Sequence, residues 1–148
     1  MTITRRQVIL GTGGVVLLAA CGPEPTLTVS AQGSAGMNLG PDGQDRPLTL
    51  TVVQMSGTGA FDGSDFFALQ NPQAALGGDF VGAEQIVLAP GGSASKTIGI
   101  KAGATSIGIV AGFRDPAGKV FRLKTAAPSG AAGVIIAVTA GGITLQSA

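Results

Sequence analysis

The sequence predicts a mainly β protein, an antiparallel two-sheet β-sandwich with a short helical insertion around residues 61–78. Apolar and polar residues alternate in short stretches along the chain, as in strands that bury one face. Turns rich in glycine, proline and serine separate these stretches. The 148 residues include 25 glycines, which suit tight turns and a core of small side chains better than helices.

The first 20 residues are predicted to be a secretory signal peptide. Arg5 and Arg6 precede an apolar run from Val8 to Ala20. This run of 13 residues would form a helix about 20 Å long, too short for a hydrocarbon core of about 30 Å. A charged start, a short apolar middle and small residues at the end are typical of signal peptides. The alternative, a buried N-terminal helix, is disfavoured by glycines within the run.

The signal peptide ends in Leu18-Ala19-Ala20-Cys21, which resembles a bacterial lipobox. The resemblance predicts cleavage between Ala20 and Cys21 and a covalent lipid on the Cys21 thiol. Residues 21–25 would then form a lipidated tether, and Gly22, in place of aspartate, favours the outer membrane. The alternative is a lone buried cysteine, a common environment for this small apolar side chain. The position of Cys21 at the end of a signal peptide favours the tether.

Two export routes fit the N-terminus. The stretch Thr4-Arg5-Arg6-Gln7-Val8-Ile9 looks like a twin-arginine signal. The alternative is an ordinary basic start that contains two arginines and uses the general export route.

Residues 26–148 are predicted to form a single domain that is not an enzyme. Removal of residues 1–20 takes two arginines with it and changes the net charge from +1 to −1, so no strong field attracts nucleic acid. The chain has no histidine, the commonest general base and metal ligand. No metal and no cofactor other than the lipid on Cys21 is predicted. Asp62 and Asp65 fit helix caps better than an acid–base pair, and the Asp42–Asp45 segment lacks the spacing of a calcium loop.

The predicted strands follow the alternating stretches in order. They cover residues 26–33, 48–55, 84–89, 96–101, 106–113, 119–125, 134–140 and 143–146. Residues 126–133 are predicted to form a flexible connection or hairpin loop.

The segment 61–78 carries signals for two short helices. Ser64 can cap a turn that presents Phe66 and Phe67, and Asn71 precedes Pro72 as an N-cap would, with Gly77 as the stop. We expect the phenylalanines to cover one end of the sandwich; the alternative is an aromatic ligand box.

The connection 34–47 between the first two strands is long for a hairpin loop, where two to five residues are usual. It holds the apolar residues Met37 and Leu39 and a glycine-proline turn. Long loops on a rigid β scaffold often carry recognition. The residues alone leave two interpretations open, a recognition loop or a solvated mobile connector.

Taken in order, these motifs resemble the outer-membrane lipoprotein of the type VI secretion system, the TssJ/VasD/SciN family. The resemblance runs from Leu18 to about Arg122 and depends on the ordered set. The set comprises the lipobox, the strand Leu27-Thr28-Val29-Ser30-Ala31, Asn38, Pro41-Asp42-Gly43, Arg46-Pro47, the strand 48–55, Phe61, Asp65-Phe66, Leu69, Leu76-Gly77-Gly78-Asp79, Pro90-Gly91 and Ile109-Val110-Ala111-Gly112-Phe113-Arg114-Asp115.

The resemblance implies a transthyretin-like sandwich with a helical insertion, lipid-anchored at the periplasmic face of the outer membrane. Its partner would be the periplasmic region of the TssM-type inner-membrane protein, with ring assembly among the membrane-complex subunits. The contact region of the family maps onto the loop 34–47. The residues implied for the contact surface are Met37, Asn38, Leu39, Asp42 and Arg46.

Two features depart from the family pattern. Members often carry tryptophan or tyrosine after the Phe-Arg-Asp strand, whereas this chain reads Lys119-Val120-Phe121-Arg122, and the region beyond Ala126 matches by pattern only. The rival interpretation is an unrelated β-sandwich lipoprotein that binds a ligand or protein. A chain without tryptophan or tyrosine offers little for sugar stacking.

Overall fold

Two four-stranded sheets pack face to face in the computed structural model, which describes residues 23–148. The predicted signal peptide, with Arg5, Arg6, Ala20 and Cys21, lies outside the described residues. The strands are β1 (Thr26–Gly33), β2 (Leu48–Met55), β3 (Phe80–Leu88), β4 (Ser93–Gly99), β5 (Ser106–Ala111), β6 (Arg122–Ala126), β7 (Ala131–Thr139) and β8 (Gly142–Ser147). The helices are α1 (Gly59–Gly63), α2 (Phe66–Leu69) and α3 (Pro72–Leu76), followed by a 3₁₀ turn at Gly77–Asp79.

The sheets have the strand orders β4-β1-β7-β8 and β3-β2-β5-β6. The predicted β-sandwich is confirmed, with one correction to strand direction. β1 and β7 run parallel, in register from Thr26 beside Ala131 to Gly33 beside Val138, whereas the other pairs are antiparallel. Alternation reveals which face a residue occupies and is the same for both directions, so it could not distinguish them.

The observed strand boundaries agree best with the predicted ones where apolar and polar residues alternate regularly. β1 and β2 have the predicted bounds, but β3 begins at Phe80 rather than at residue 84. The missed residues pair with the end of β2 across a register shift between Gln54 and Met55, which disturbs the alternation. β7 begins at Ala131, so the predicted connection 126–133 shortens to residues 127–130.

The main core lies between the two sheets. It is built from the inward side chains of the strands, among them Leu27, Val29, Leu50, Ile109 and Ile136. Gln54 is buried with them, 2% exposed. Its Nε2 donates to the carbonyl oxygen of Gly99 (3.0 Å), and its Oε1 accepts from the amide of Lys101 (2.7 Å). The side chain thus ties β2 to the end of β4 in the opposite sheet.

The helical insertion covers the outer face of the sheet β3-β2-β5-β6, not an end of the sandwich as predicted. Its apolar side chains and those of the sheet form a second buried cluster of Val53, Met55, Phe61, Leu69, Leu76 and Val110. The segment contains three short helices instead of two. Within residues 23–148, no helix is long and apolar enough to cross a membrane.

The predicted helix caps are partly wrong. Asp65, not Ser64, is the N-cap of α2: its side chain accepts from the amide of Ala68 (2.8 Å). The Ser64 hydroxyl instead donates to the carbonyl of Ala60 (2.7 Å). Asn71 precedes Pro72 without a side-chain cap bond, and Gly77 ends α3 at a φ of 54°.

The sandwich has two distinct ends. We call the end that carries residues 34–47 the loop end; it also carries 89–92 and 112–121. The opposite tether end is where Pro25 leads into β1: its carbonyl accepts from the amide of Ile100 (2.8 Å), and the amide of Thr26 donates to Gly130 (3.3 Å). Eight-residue strands such as β1 separate the two ends by about 26 Å.

Candidate functional site

The loop 34–47 is a small hydrogen-bonded hairpin. Leu39 and Asp45 form an antiparallel bridge. The amide of Gly40 donates to Gln44 (2.8 Å) and that of Gly43 to Gly40 (2.9 Å). Gly43 turns the chain at a φ of 74°, which glycine adopts without steric cost. The loop therefore has internal structure, unlike a connector that makes no contacts of its own.

Asp45 holds the base of this hairpin. Its Oδ2 accepts from the amide of Gly36 (2.6 Å) and its Oδ1 from the amide of Asn38 (3.0 Å). Both carboxylate oxygens are therefore engaged by the backbone. Residues 23–148 contain no cluster of three or more acidic, cysteine or histidine side chains able to hold a metal ion.

The prediction that Met37 and Asn38 lie on the surface is wrong, because both side chains are buried. Met37 is 0% exposed and belongs to the core; its sulfur would lie 2.7 Å from a Cβ at Gly33, so the glycine makes room for it. Asn38 is 4% exposed. Its Nδ2 donates to the carbonyl of Pro47 (3.0 Å), and its Oδ1 accepts from the amide of Arg114 (2.8 Å).

Leu39, Asp42 and Arg46 remain on the surface. The Leu39 side chain is 47% exposed. Arg46 Nη2 contacts Asp42 Oδ2 at 3.0 Å, and both side chains are about half exposed. The backbone amide of Gln44, together with Arg46, holds the pKa of Asp42 below its ordinary value. This pair folds over Gly40, where a Cβ would lie 2.6 Å from Arg46 Nε.

A cleft of about 230 Å³ separates the hairpin from the loop after β5. Leu39, Gly40 and Pro41 form one wall, and Arg114 and Asp115 form the other. Arg114 and Asp115 were not predicted from the sequence as site residues. The alternation through residue 113 indicated a strand, and these two residues simply come after it. The signal for a turn there was Pro116-Ala117-Gly118, and Gly118 adopts a φ of 70°.

The predicted residues Arg5, Arg6, Ala20 and Cys21 lie outside the described residues, and their roles stay predictions. The cleft at the loop end brings together the exposed apolar side chain of Leu39, the Asp42–Arg46 ion pair beside it, and the charged residues Arg114 and Asp115. It has the features of a protein-docking surface, with polar groups around an apolar contact.

Comparison with known proteins identifies relatives of this chain. A family model described as type VI secretion lipoprotein (VasD, EvfM, TssJ) matches residues 25–141. No curated protein sequence matches. Among solved structures, the type VI lipoprotein TssJ1 from Pseudomonas aeruginosa is 26% identical with a TM-score of 0.75, and the match covers 85% of this chain and 98% of that one.

Two other structures show the same fold. Lip of Serratia marcescens, a membrane-bound component of the type VI secretion system, is 19% identical with a TM-score of 0.70, over 82% of this chain and 96% of that one. A chain in a structure described as "Type VI membrane complex" is 22% identical with a TM-score of 0.73, over 83% and 98%. The predicted family and fold are confirmed, and an unrelated β-sandwich is excluded. The chain belongs to the type VI secretion lipoprotein family.

Proposed function

We propose that the protein is a subunit of the type VI secretion membrane complex, anchored to the periplasmic face of the outer membrane by lipid on Cys21. In this proposal the loop end docks the periplasmic region of a TssM-type inner-membrane protein. Leu39, Asp42 and Arg46 supply the exposed contacts of the hairpin, while Met37 and Asn38 support them from inside. No catalytic step is required.

The observation that carries this proposal is the position of the hairpin opposite the tether. Pro25 enters β1 at the tether end, only four residues after Cys21, and is bonded to the amide of Ile100. Four residues span at most about 14 Å. A lipid on Cys21 would therefore keep the tether end close to the bilayer, and the loop end would face the periplasm.

A further solved structure of similar fold supports a TssM-type partner. A chain in the structure described as the TssM C-terminal domain (869–1107) from EAEC matches with a TM-score of 0.62 at 22% identity, over 83% of this chain and 97% of that one. A standard interface of about 800 Å² per partner would suffice for specific docking. Ring assembly would add avidity without tighter single contacts.

The docking proposal is tested with the purified domain 23–148 and the periplasmic fragment of a TssM-type protein from the same organism. Leu39→Asp places a charge at the exposed apolar contact. Phe67→Asp is the matched control, since Phe67 is 78% exposed but lies on α2. We expect Leu39→Asp to raise Kd at least tenfold and Phe67→Asp to leave it unchanged. Absence of binding by the unmodified domain, or equal effects of both variants, would contradict the proposal.

The anchor is tested in the full chain. Cys21→Ser removes the thiol that would be acylated, so we expect loss of palmitate labelling and release of the protein from the outer-membrane fraction. Cys21→Ser that still fractionates with outer membranes would show that another attachment holds the protein.

The export route is tested at the arginine pair. Replacing Arg5 and Arg6 by lysine keeps the positive charge but removes the twin-arginine motif, and we expect processing to stop. Normal processing of this variant would assign the chain to the general route.

A further inference from the structure

Arg114 is an exposed cation at the cleft, and none of the ion pairs among residues 23–148 involves it. It lies in the wall opposite Leu39 and Pro41. A guanidinium presents several donors in a fixed planar fork that matches a carboxylate. This side chain is therefore available to a partner.

The acidic groups at the loop end are already engaged within the chain. Asp42 pairs with Arg46, Asp45 accepts two backbone amides, and Asp115 Oδ1 accepts from the amide of Ala117 (3.2 Å). The other basic group of this loop, Lys119, lies over the ring of Phe113 at 4.9 Å. Arg114 therefore makes no ion pair within residues 23–148, although Asp115 lines the same wall of the cleft.

The size of the cleft limits what can enter it. At about 230 Å³ it is smaller than the roughly 300–1,000 Å³ of small-molecule sites. Leu39 and Pro41 provide an apolar wall. One apolar side chain of a protein partner fits this space better than a cofactor or metabolite.

Asn38 fixes the distance between the two walls. Its buried amide group bonds the carbonyl of Pro47 on the hairpin side and the amide of Arg114 on the other. Both loops are therefore joined before any partner arrives. A preformed cleft reduces the entropy cost of ordering loops on binding.

We propose that the docking surface is this two-loop cleft: it receives one apolar side chain of the TssM-type partner, and Arg114 pairs with a carboxylate beside that side chain. Asn38 is the positioning residue that holds Arg114 in place. The inference rests on the proposed docking function and adds Arg114, on the loop after β5, to the contact surface of the hairpin.

The test compares Arg114→Glu with Arg114→Lys and with Lys101→Glu in the same binding assay. Lys101→Glu makes the same change in net charge but lies at the tether end. We expect Arg114→Glu to raise Kd more than tenfold, Arg114→Lys to raise it less, and Lys101→Glu to change it less than twofold. The effect of Arg114→Glu should shrink in 0.5 M salt, because salt screens the interaction.

The role of Asn38 is tested by a double-mutant cycle. If Asn38 positions Arg114, the fold-change caused by Arg114→Glu should be smaller in an Asn38→Ala background than in the unmodified domain. Asn38→Asp keeps an acceptor for the Arg114 amide and is the matched control, so the fold-change caused by Arg114→Glu should stay in this background close to that in the unmodified domain. Additive effects in the Asn38→Ala background, or an equal reduction in both backgrounds, would contradict the positioning role.

The outcomes separate this inference from the proposed function. If Leu39→Asp abolishes binding while Arg114→Glu behaves like Lys101→Glu, docking stands and the Arg114 pairing is wrong. If the unmodified domain does not bind the TssM-type fragment, both proposals fall.

Discussion

Gly108 of β5 lies directly against the ring of Phe61 in α1. A Cβ at position 108 would stand 2.6 Å from Phe61 Cε2 and 2.8 Å from Cζ, closer than carbon atoms approach. The glycine lets the ring pack closely against the outer face of the sheet, where Phe61 is 1% exposed. This contact fixes how closely the helical insertion approaches β5.

We therefore expect Gly108→Ala to destabilise the domain by about 1–3 kcal/mol, the usual cost of overpacking. Because the ring is almost fully buried among packed side chains, moving it disturbs its contacts with them. Gly99→Ala in β4 is the control, because nothing lies within 4 Å of a Cβ there, and a change within about 0.5 kcal/mol is expected. Urea unfolding of the domain 23–148 measures both, and equal stabilities would show that the insertion shifts freely.

The buried side chain of Gln54 supplies a second prediction. Gln54→Leu preserves much of the volume but leaves the Gly99 carbonyl and the Lys101 amide without their partner. We expect a loss of about 1–3 kcal/mol, the usual cost of leaving hydrogen-bonding groups without their partner, because both bonds are partly buried. Gln85→Leu on the exposed face of β3 should change stability by less than about 0.5 kcal/mol. Thermal and urea unfolding would detect the difference, and a stable Gln54→Leu would mean that water replaces the amide.

The faces of β1 and β2 could be predicted because alternation reports burial directly. Leu27 and Val29 lie inward as expected. The helices that cover the outer face of the sheet β3-β2-β5-β6 were harder to predict. The related sequence feature is the run Val52-Val53-Gln54-Met55, whose side chains are buried on both faces of β2. Such a run is compatible with a covered outer face, but it does not say which element covers it, and the helical segment was expected at one end of the sandwich instead.

The loop residues were harder to assign, because a loop position says little about burial. Met37 enters the core beside Gly33, but it lies four residues beyond the end of β1, where alternation no longer reports burial. Asn38 is buried by bonds to Pro47 and to Arg114, which is 76 residues away. The bond to Arg114 depends on how the strands that carry the two loops pack together. Residues suited to the surface by type, such as Asp42 and Arg46, were placed correctly there.

The stability of the domain should depend on pH through the ion pair Glu84–Lys96. Lys96 Nζ lies 2.9 Å from Glu84 Oε2 and links the edge strands β3 and β4. The hydrogen bond and charge of Lys96 lower the pKa of Glu84 from its ordinary 4.5. A lowered folded-state pKa contributes stability that is present above the unfolded value and is lost as pH falls through the folded value. We expect Glu84→Gln to be less stable than the unmodified domain at pH 6, with the difference shrinking below pH 4.5.

Urea unfolding at several pH values measures this difference, and 1 M NaCl provides the control. Both side chains are nearly half exposed, so salt should reduce the effect. A difference between the proteins that stays constant from pH 6 to pH 3 would contradict the assigned pKa direction.

Gly40→Ala is predicted to weaken docking without changing the stability of the domain. A Cβ at position 40 would lie 2.6 Å from Arg46 Nε and 2.8 Å from Asp42 Oδ1, so the ion pair over it must move. Both side chains are half exposed and can turn into solvent, and we expect unfolding free energy to change by less than about 0.5 kcal/mol. Binding to the TssM-type fragment should weaken several-fold because the docking surface is rearranged. Gly99→Ala is the control and should change neither the unfolding free energy nor the Kd. If the Gly40→Ala domain binds as tightly as the unmodified one, the Asp42–Arg46 pair does not belong to the contact surface.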